Sequence, residues 1–125
     1  MTFKIAHIDD CMDDLLLFKL RALNYDVHQF SCYGEYLSSL SDYDVVVSDF
    51  NMPDYSADNL EGCIRKQKCP FFIYTGARIE LLGAGNMEHL MSMGVDGFYC
   101  KGRDDDRLWD DITSIKRRKK VDVFF

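Results

Sequence analysis

The sequence predicts an α/β domain, a parallel sheet covered by helices on both faces. Strand-like and helix-like stretches alternate from one end of the 125 residues to the other, the pattern of successive βα units. Residues 44–48, Asp-Val-Val-Val-Ser, form a continuous β-branched run, as expected of a strand buried on both faces. Two apolar runs end in carboxylates, and in such sheets ligands bind outside the carboxyl ends of the strands.

Each element has its own signal. Residues 3–8 read as the first strand. Over 12–23, apolar residues at 12, 15, 16, 20 and 23 have helical spacing. Asn24-Tyr25 breaks that helix, and 26–30 forms a short second strand. Tyr36, Leu37 and Leu40 indicate a short helix beginning near Gly34. The run at 44–48 is the third strand. Pro53 interrupts the chain after it, and a helix is expected over 57–68. Cys69-Pro70 punctuates before the apolar fourth strand, 71–74. A short helix over 87–93 has Asn86 as its N-cap, and 97–100 is the fifth strand. The last helix, 104–119, is acidic at its start and basic at its end, which suits the helix dipole.

Composition bounds the function. The length fits one domain over 1–125, with a core of about 3–119 and a tail at 120–125. Hydrophobic residues at 47% and charged residues at 29% exclude a disordered chain. A net charge of −6 argues against direct binding of nucleic acid. No apolar run approaches the roughly 20 residues that span a bilayer, and the N-terminus lacks a secretory signal pattern. A cytoplasmic location without a membrane partner is therefore expected. The five cysteines include no Cys-x-x-Cys pair, so buried, reduced thiols are expected.

The chemistry lies at the strand ends. Asp9 and Asp10 follow the first strand, and Asp49 follows the third. Carboxylates brought that close repel and raise one another's pKa unless a cation sits among them. This points to a divalent metal. Thr75 and Lys101, after the fourth and fifth strands, add a hydroxyl and an ammonium at the same edge.

In order, the pieces are Ile8-Asp9-Asp10, Val47-Ser48-Asp49-Phe50-Asn51-Met52-Pro53, Tyr74-Thr75-Gly76 and Gly97-Phe98-Tyr99-Cys100-Lys101. The set resembles the receiver domain of bacterial response regulators, the chemotaxis-protein-like module of two-component signalling. The resemblance covers essentially the whole chain, and the Asp-x-x-Met-Pro stretch is its most diagnostic part. It implies a flavodoxin-like doubly wound (βα)5 sandwich with strand order 2-1-3-4-5. It implies that Asp49 is the phosphoacceptor, a carboxylate nucleophile forming an aspartyl-phosphate, assisted by Thr75 and Lys101. Mg²⁺ (or Mn²⁺) would be held by Asp9, Asp10, Asp49 and the backbone carbonyl of Asn51, an oxygen-rich sphere. Thr75 and Phe98 would form the switch. The phosphoryl group would come from a histidine kinase or phosphotransfer protein, and a downstream protein would read the altered surface. Such a domain is a signalling phosphoacceptor rather than an enzyme, beyond its own self-catalysed phosphorylation and dephosphorylation. Homodimers in this family use the fourth and fifth helical face.

Several residues depart from the family pattern. Gly102 stands where the family has proline. A cis Lys101-Gly102 bond would cost about 2.5–4 kcal/mol, so a trans bond and a looser loop are expected. Ser56 or Ala57 replaces a common glycine, which alters the turn into the third helix. Gly83-Ala84-Gly85 lies in a long stretch after Thr75, read as an enlarged loop over 77–85 before a shortened helix. Phe98 offers no hydroxyl. His7, His28 and His89 read as structural, Met87, Met91 and Met93 as packing, and the basic run 116–120 as a solvated helix end. Two competing functions remain. One is a receiver-like binding module that works without phosphate, motivated by Gly102 and the long loop. The other is a phosphohydrolase, disfavoured because Asn51, two residues after Asp49, cannot serve as an acid–base group.

Overall fold

The computed structural model describes residues 2–76 and 83–122. Five strands alternate with five helices: β1 (Lys4–Ile8), α1 (Met12–Arg21), β2 (Asp26–Phe30), α2 (Tyr33–Ser38), β3 (Val45–Ser48), α3 (Ala57–Arg65), β4 (Phe71–Thr75), α4 (Ala84–Met93), β5 (Gly97–Cys100) and α5 (Asp105–Asp122). The strands are parallel and ordered β2-β1-β3-β4-β5, the order expected of a flavodoxin-like sheet. The sequence order reverses direction between β1 and β3, which makes their carboxyl ends the switch point where such folds bind ligands.

Alternation along the strands builds two cores. Ala6, Ile8, Val46, Phe71, Ile73, Phe98 and Cys100 face one way, against Tyr33 and Tyr36 of α2, Leu60, Cys63 and Ile64 of α3, and Leu90 of α4. Ile5, Val45, Val47, Phe72 and Tyr99 face the other way, against Phe18 and Ala22 and against Leu108, Ile112 and Ile115 of α5. Burial on both faces explains the unbroken apolar run of β3, whose four residues are all buried.

The helices depart from their sequence signals in instructive ways. In α1 the buried residues are Leu15 and Phe18, with Ala22 just beyond. Met12, Leu16, Leu17, Leu20 and Leu23 are exposed. The apolar periodicity is real, but the stripe at 12, 16, 20 and 23 points away from the sheet, because Phe18 and Ala22 fill the space over β1. Leu40 is exposed and outside α2, and α3 ends three residues earlier than its pattern suggests. Ser56 caps α3, its hydroxyl accepting from the amide of Asn59 at 3.0 Å, so the turn into the helix is closed by a side-chain cap.

The fourth helix is ten residues long and not shortened. It begins after Gly83, whose φ of 80° turns the chain into the helix, so Gly85 and Asn86 lie inside the first turn and Asn86 is not the N-cap. Residues 77–82 of the expected loop fall outside the described residues, as do 123–125 of the tail; 120–122 continue α5. Met87 and Met93 pack on the first core, but Met91 is exposed. Only Cys63 and Cys100 are buried; Cys11 is exposed, and Cys32 and Cys69 are intermediate. Burial pushes the Cys63 thiol up to about 12, away from reactive thiolate chemistry. His28 sits between Tyr43 Oη at 3.0 Å and Asp26 at 3.2 Å, and Lys119 pairs with Asp44. No helix among the described residues is long and apolar enough to cross a membrane.

Gly94 closes α4 in the left-handed region, φ 117°, its amide donating to the carbonyls of Leu90 and Met91. A Cβ there would meet Ile64 Cγ2 at 3.0 Å. Gly94→Ala is expected to lower stability by about 1–2 kcal/mol, the cost of forcing an L-residue into that region, read as a lower urea midpoint at unchanged m-value.

Candidate functional site

Register brings the acids together. Ile8 pairs with Ser48 across β1 and β3, so Asp9 and Asp49 leave the sheet side by side. The Asp49 amide donates to the Ile8 carbonyl at 2.8 Å, continuing the ladder by one step. Asp9, Asp10 and Asp49 each present an oxygen within 4.8 Å of the others. Asp9 is fully buried and Asp49 nearly so, while Asp10 is exposed. On the next pair, Thr75 faces Cys100, and the Lys101 amide donates to the Thr75 carbonyl at 2.9 Å.

Lys101 reaches back across the edge into the acids. Its Nζ donates to Asp9 Oδ2 at 2.6 Å, Asp49 Oδ2 at 2.9 Å and Asp14 Oδ2 at 2.8 Å. Burial alone would lower the Lys101 pKa, but its bonds to Asp14, Asp9 and Asp49 outweigh that and hold it above the ordinary lysine value. Burial pushes the Asp9 carboxyl above its usual range, against the pull of Lys101 and of the Cys11 amide at 2.9 Å. Asp14 feels burial too, but the Lys101 hydrogen bond and charge leave it lowered. A divalent cation would favour the ionised form of all these acids.

Asp14 is not among the sequence candidates. It lies in the first turn of α1, where an acid is expected from the helix dipole alone, so no local signal sets it apart.

The loop after Asp49 is held from two sides. The Asn51 amide donates to Asp49 Oδ1 at 3.1 Å, which folds the backbone of Asn51 back onto the acids. The buried Tyr33 hydroxyl donates to the carbonyls of Asp49 at 3.1 Å and Phe50 at 3.3 Å, and Ser48 Oγ donates to the Asp49 carbonyl at 2.8 Å. Burial keeps the Tyr33 phenol well above its ordinary pKa, so it remains a donor. Asp54, farther along the loop, accepts the Tyr33 and Gly34 amides at 3.0 and 2.9 Å. Those bonds satisfy the open amides at the start of α2.

Of the remaining sequence candidates, Thr75 is buried at the end of β4. Phe98 is packed in the first core beside Ile73, its register partner. Among the described residues, no atom lies within 4 Å of where a Gly76 Cβ would stand. Lys101-Gly102 is not cis, as expected. The loop after it is not loose, however. Gly102 takes φ 85°, its amide donates to Asp105 Oδ1 at 2.9 Å, and Asp104 accepts the Cys100 amide at 2.8 Å. The donor set is all oxygen and three carboxylates strong, which fits a hard divalent ion such as Mg²⁺.

His7 lies directly behind the site. It is 1% exposed and stacks on Phe18 at 3.8 Å between ring centroids. Its Nε2 is 3.9 Å from Asp9 Oδ2, and neither ring nitrogen has a hydrogen-bond partner among the described residues. Burial, with the Lys101 charge, lowers its pKa to about 3.

No protein-family model and no curated protein sequence matches this chain. Many solved structures do, and many of them are response regulator receiver domains of the chemotaxis-regulator type. One from Clostridium thermocellum shares 26% identity, with a TM-score of 0.73 over 95% of this chain and 98% of that one. A chemotaxis-regulator-like receiver domain from Methanospirillum hungatei shares 19%, with a TM-score of 0.80 over 96% and 98%. The receiver domain of a repressor protein from Vibrio parahaemolyticus shares 17%, with a TM-score of 0.78 over 99% and 97%.

Two substitutions probe this geometry. Tyr33→Phe removes a buried donor to two carbonyls and is expected to cost about 1 kcal/mol in urea unfolding. His7 is neutral in the folded protein, while its unfolded form takes a proton below pH 6.5. Its contribution is therefore complete above pH 6.5 and is lost as pH falls toward 3, by up to about 1.4 kcal/mol per pH unit. His7→Phe is expected to flatten the stability profile between pH 6.5 and 4.5, measured by urea unfolding at each pH.

Proposed function

We propose that this chain, which has the receiver-domain fold of two-component response regulators, is phosphorylated on Asp49 and signals through that modification. The observation that carries the reading is one cluster: a nearly buried Asp49 beside Asp9 and Asp10, with the Lys101 ammonium 2.9 Å from its carboxylate.

The phosphoryl group would come from a phosphohistidine on a histidine kinase or phosphotransfer protein. An Asp49 oxygen attacks phosphorus, the N–P bond breaks, and its electron pair returns to the donor imidazole. The product is an aspartyl-phosphate. Asp9, Asp10, Asp49 and the Asn51 carbonyl would hold Mg²⁺ (or Mn²⁺), which neutralises charge on the phosphoryl oxygens. Lys101 offers its ammonium to another of those oxygens, and Thr75 its hydroxyl to a third. Catalysis then rests on positioning and electrostatics. Asn51 has no carboxylate to activate water, which favours a lasting phosphoprotein over a hydrolase. Phosphate on Asp49 would draw Thr75 toward it and repack Phe98, altering the surface that a downstream protein reads. The face around α4 and α5 is a candidate for that reader or for a second copy of the chain.

A phosphate-independent binding module would keep the fold and dispense with this cluster. The convergence of the acids with Lys101 favours the phosphoacceptor reading.

Incubation with acetyl phosphate and Mg²⁺ is expected to add about 80 Da, one phosphoryl group, to the wild type and nothing to Asp49→Asn, by intact mass. Equal labelling of the two would overturn the assignment. Asp10→Asn is expected to raise the Mg²⁺ concentration for half-maximal phosphorylation about tenfold, since affinity at such sites follows ligand charge.

A further inference from the structure

We propose that Asp14 is a positioning residue that holds Lys101 back from an incoming phosphoryl group, so that it sets the rate at which Asp49 is modified. The inference rests on Asp49 being the phosphoacceptor.

An ammonium has three N–H donors and no more. In Lys101 all three are spent on carboxylates: Asp9 at 2.6 Å, Asp14 at 2.8 Å and Asp49 at 2.9 Å. No donor is left for a phosphoryl oxygen, so one of these bonds must open before Lys101 can serve the reaction. The three acids are not equivalent. Asp9 and Asp49 leave the ends of β1 and β3, with side chains 0% and 10% exposed. Asp14 comes from α1, and its side chain is 33% exposed. Water can replace Lys101 at Asp14 at little cost, but not at the two buried acids. The Asp14 pair is therefore the one that yields.

The other groups around Nζ do not take over this role. The Tyr74 ring lies 5.8 Å from Nζ, and its hydroxyl is bound to Asp105 at 2.5 Å. At Gly102 the chain turns with φ 85° and no side chain. Among the described residues the tip of Lys101 is thus held by carboxylates, and Asp14 is the one outside the strand-end triad. Alanine at this position frees one N–H donor for the phosphoryl oxygen, and asparagine, a neutral acceptor, holds that donor more weakly than the carboxylate does.

If Asp14 were only a first-turn acid complementing the helix dipole, its loss would leave the rate of phosphorylation unchanged.

The test is the rate of mass gain at saturating Mg²⁺ for wild type, D14N and D14A, with two donors. Acetyl phosphate transfers its phosphoryl group to Asp49 and releases acetate. Phosphoramidate, of lower net charge, releases ammonia. Both variants are expected to react about threefold to fivefold faster than wild type, the scale of a partly exposed ion pair, and by the same factor with either donor. Rates equal to or below wild type overturn the proposal. So does acceleration with acetyl phosphate alone, which would make Asp14 only a charge repelling the donor. A wild type that gains no mass with either donor would instead remove the phosphoacceptor reading on which the proposal stands.

Discussion

Four carboxylates and one ammonium meet at the carboxyl edge of this sheet, and much of the architecture can be read as the means of bringing them there. Parallel pairing of β1 and β3 in register makes Asp9 and Asp49 neighbours. That step alone would be unfavourable, because two buried like charges repel each other. Lys101 answers it from β5, two strands beyond β3, and binds both. An ammonium on a flexible stem suits the task. It neutralises charge without a fixed fork of donors, and can change partners when the charge among the acids changes. A buried ion pair is weak evidence for stability. Here three acids share a single cation, and the surplus of negative charge is what suits the site to a divalent ion.

Both cores of the domain press on this edge. On one face, α2 supplies the Tyr33 hydroxyl beneath the carbonyls of Asp49 and Phe50, while Asp54 ties the start of α2 to the loop after β3. On the other face, His7 backs Asp9, and the stack runs on through Phe18 to Trp109 of α5. An event at the acids therefore has packed side chains on either side of the sheet against which to act. Phe98 lies in the α2–α3–α4 core, whereas α1 and α5 answer to the His7 side. The two faces of the domain thus touch the site through different residues.

The strands and the acids were legible in the sequence because they rest on local patterns. β-Branched runs and punctuation marked the five strands, and a carboxylate at the end of an apolar run is visible without tertiary knowledge. What escaped depended on long-range placement. Asp14 lies 87 residues from Lys101 in the chain, and nothing near it announces that partner. Tyr33 and Asp54 look like loop residues until α2 is set against the loop after β3. The apolar stripe of α1 illustrates the same limit. Helical spacing reveals that a face is apolar, but Phe18 and Ala22 against β1 decide which face is covered. Ahead of α4, two glycines read as a break, although one of them, Gly83, is the turn that launches the helix.

Gly102 shows how a turn without a rigid ring can still fix the lysine before it. A proline at that position would fix the turn after the lysine through its ring. Glycine gives up that constraint and opens the left-handed region, which the chain uses at φ 85°. The turn is then closed by hydrogen bonds. Asp104 takes the Cys100 amide with its carboxylate and gives its own amide to the Cys100 carbonyl at 2.8 Å, while Asp105 takes the Gly102 amide. Lys101 between them is pinned at its backbone by Thr75 and at its tip by three acids. Position is kept by a ring in one case and by paired polar groups in the other. The second means is reversible, because each bond can open singly, and it leaves the tip of the lysine answerable to the charge around it rather than to the backbone beneath it.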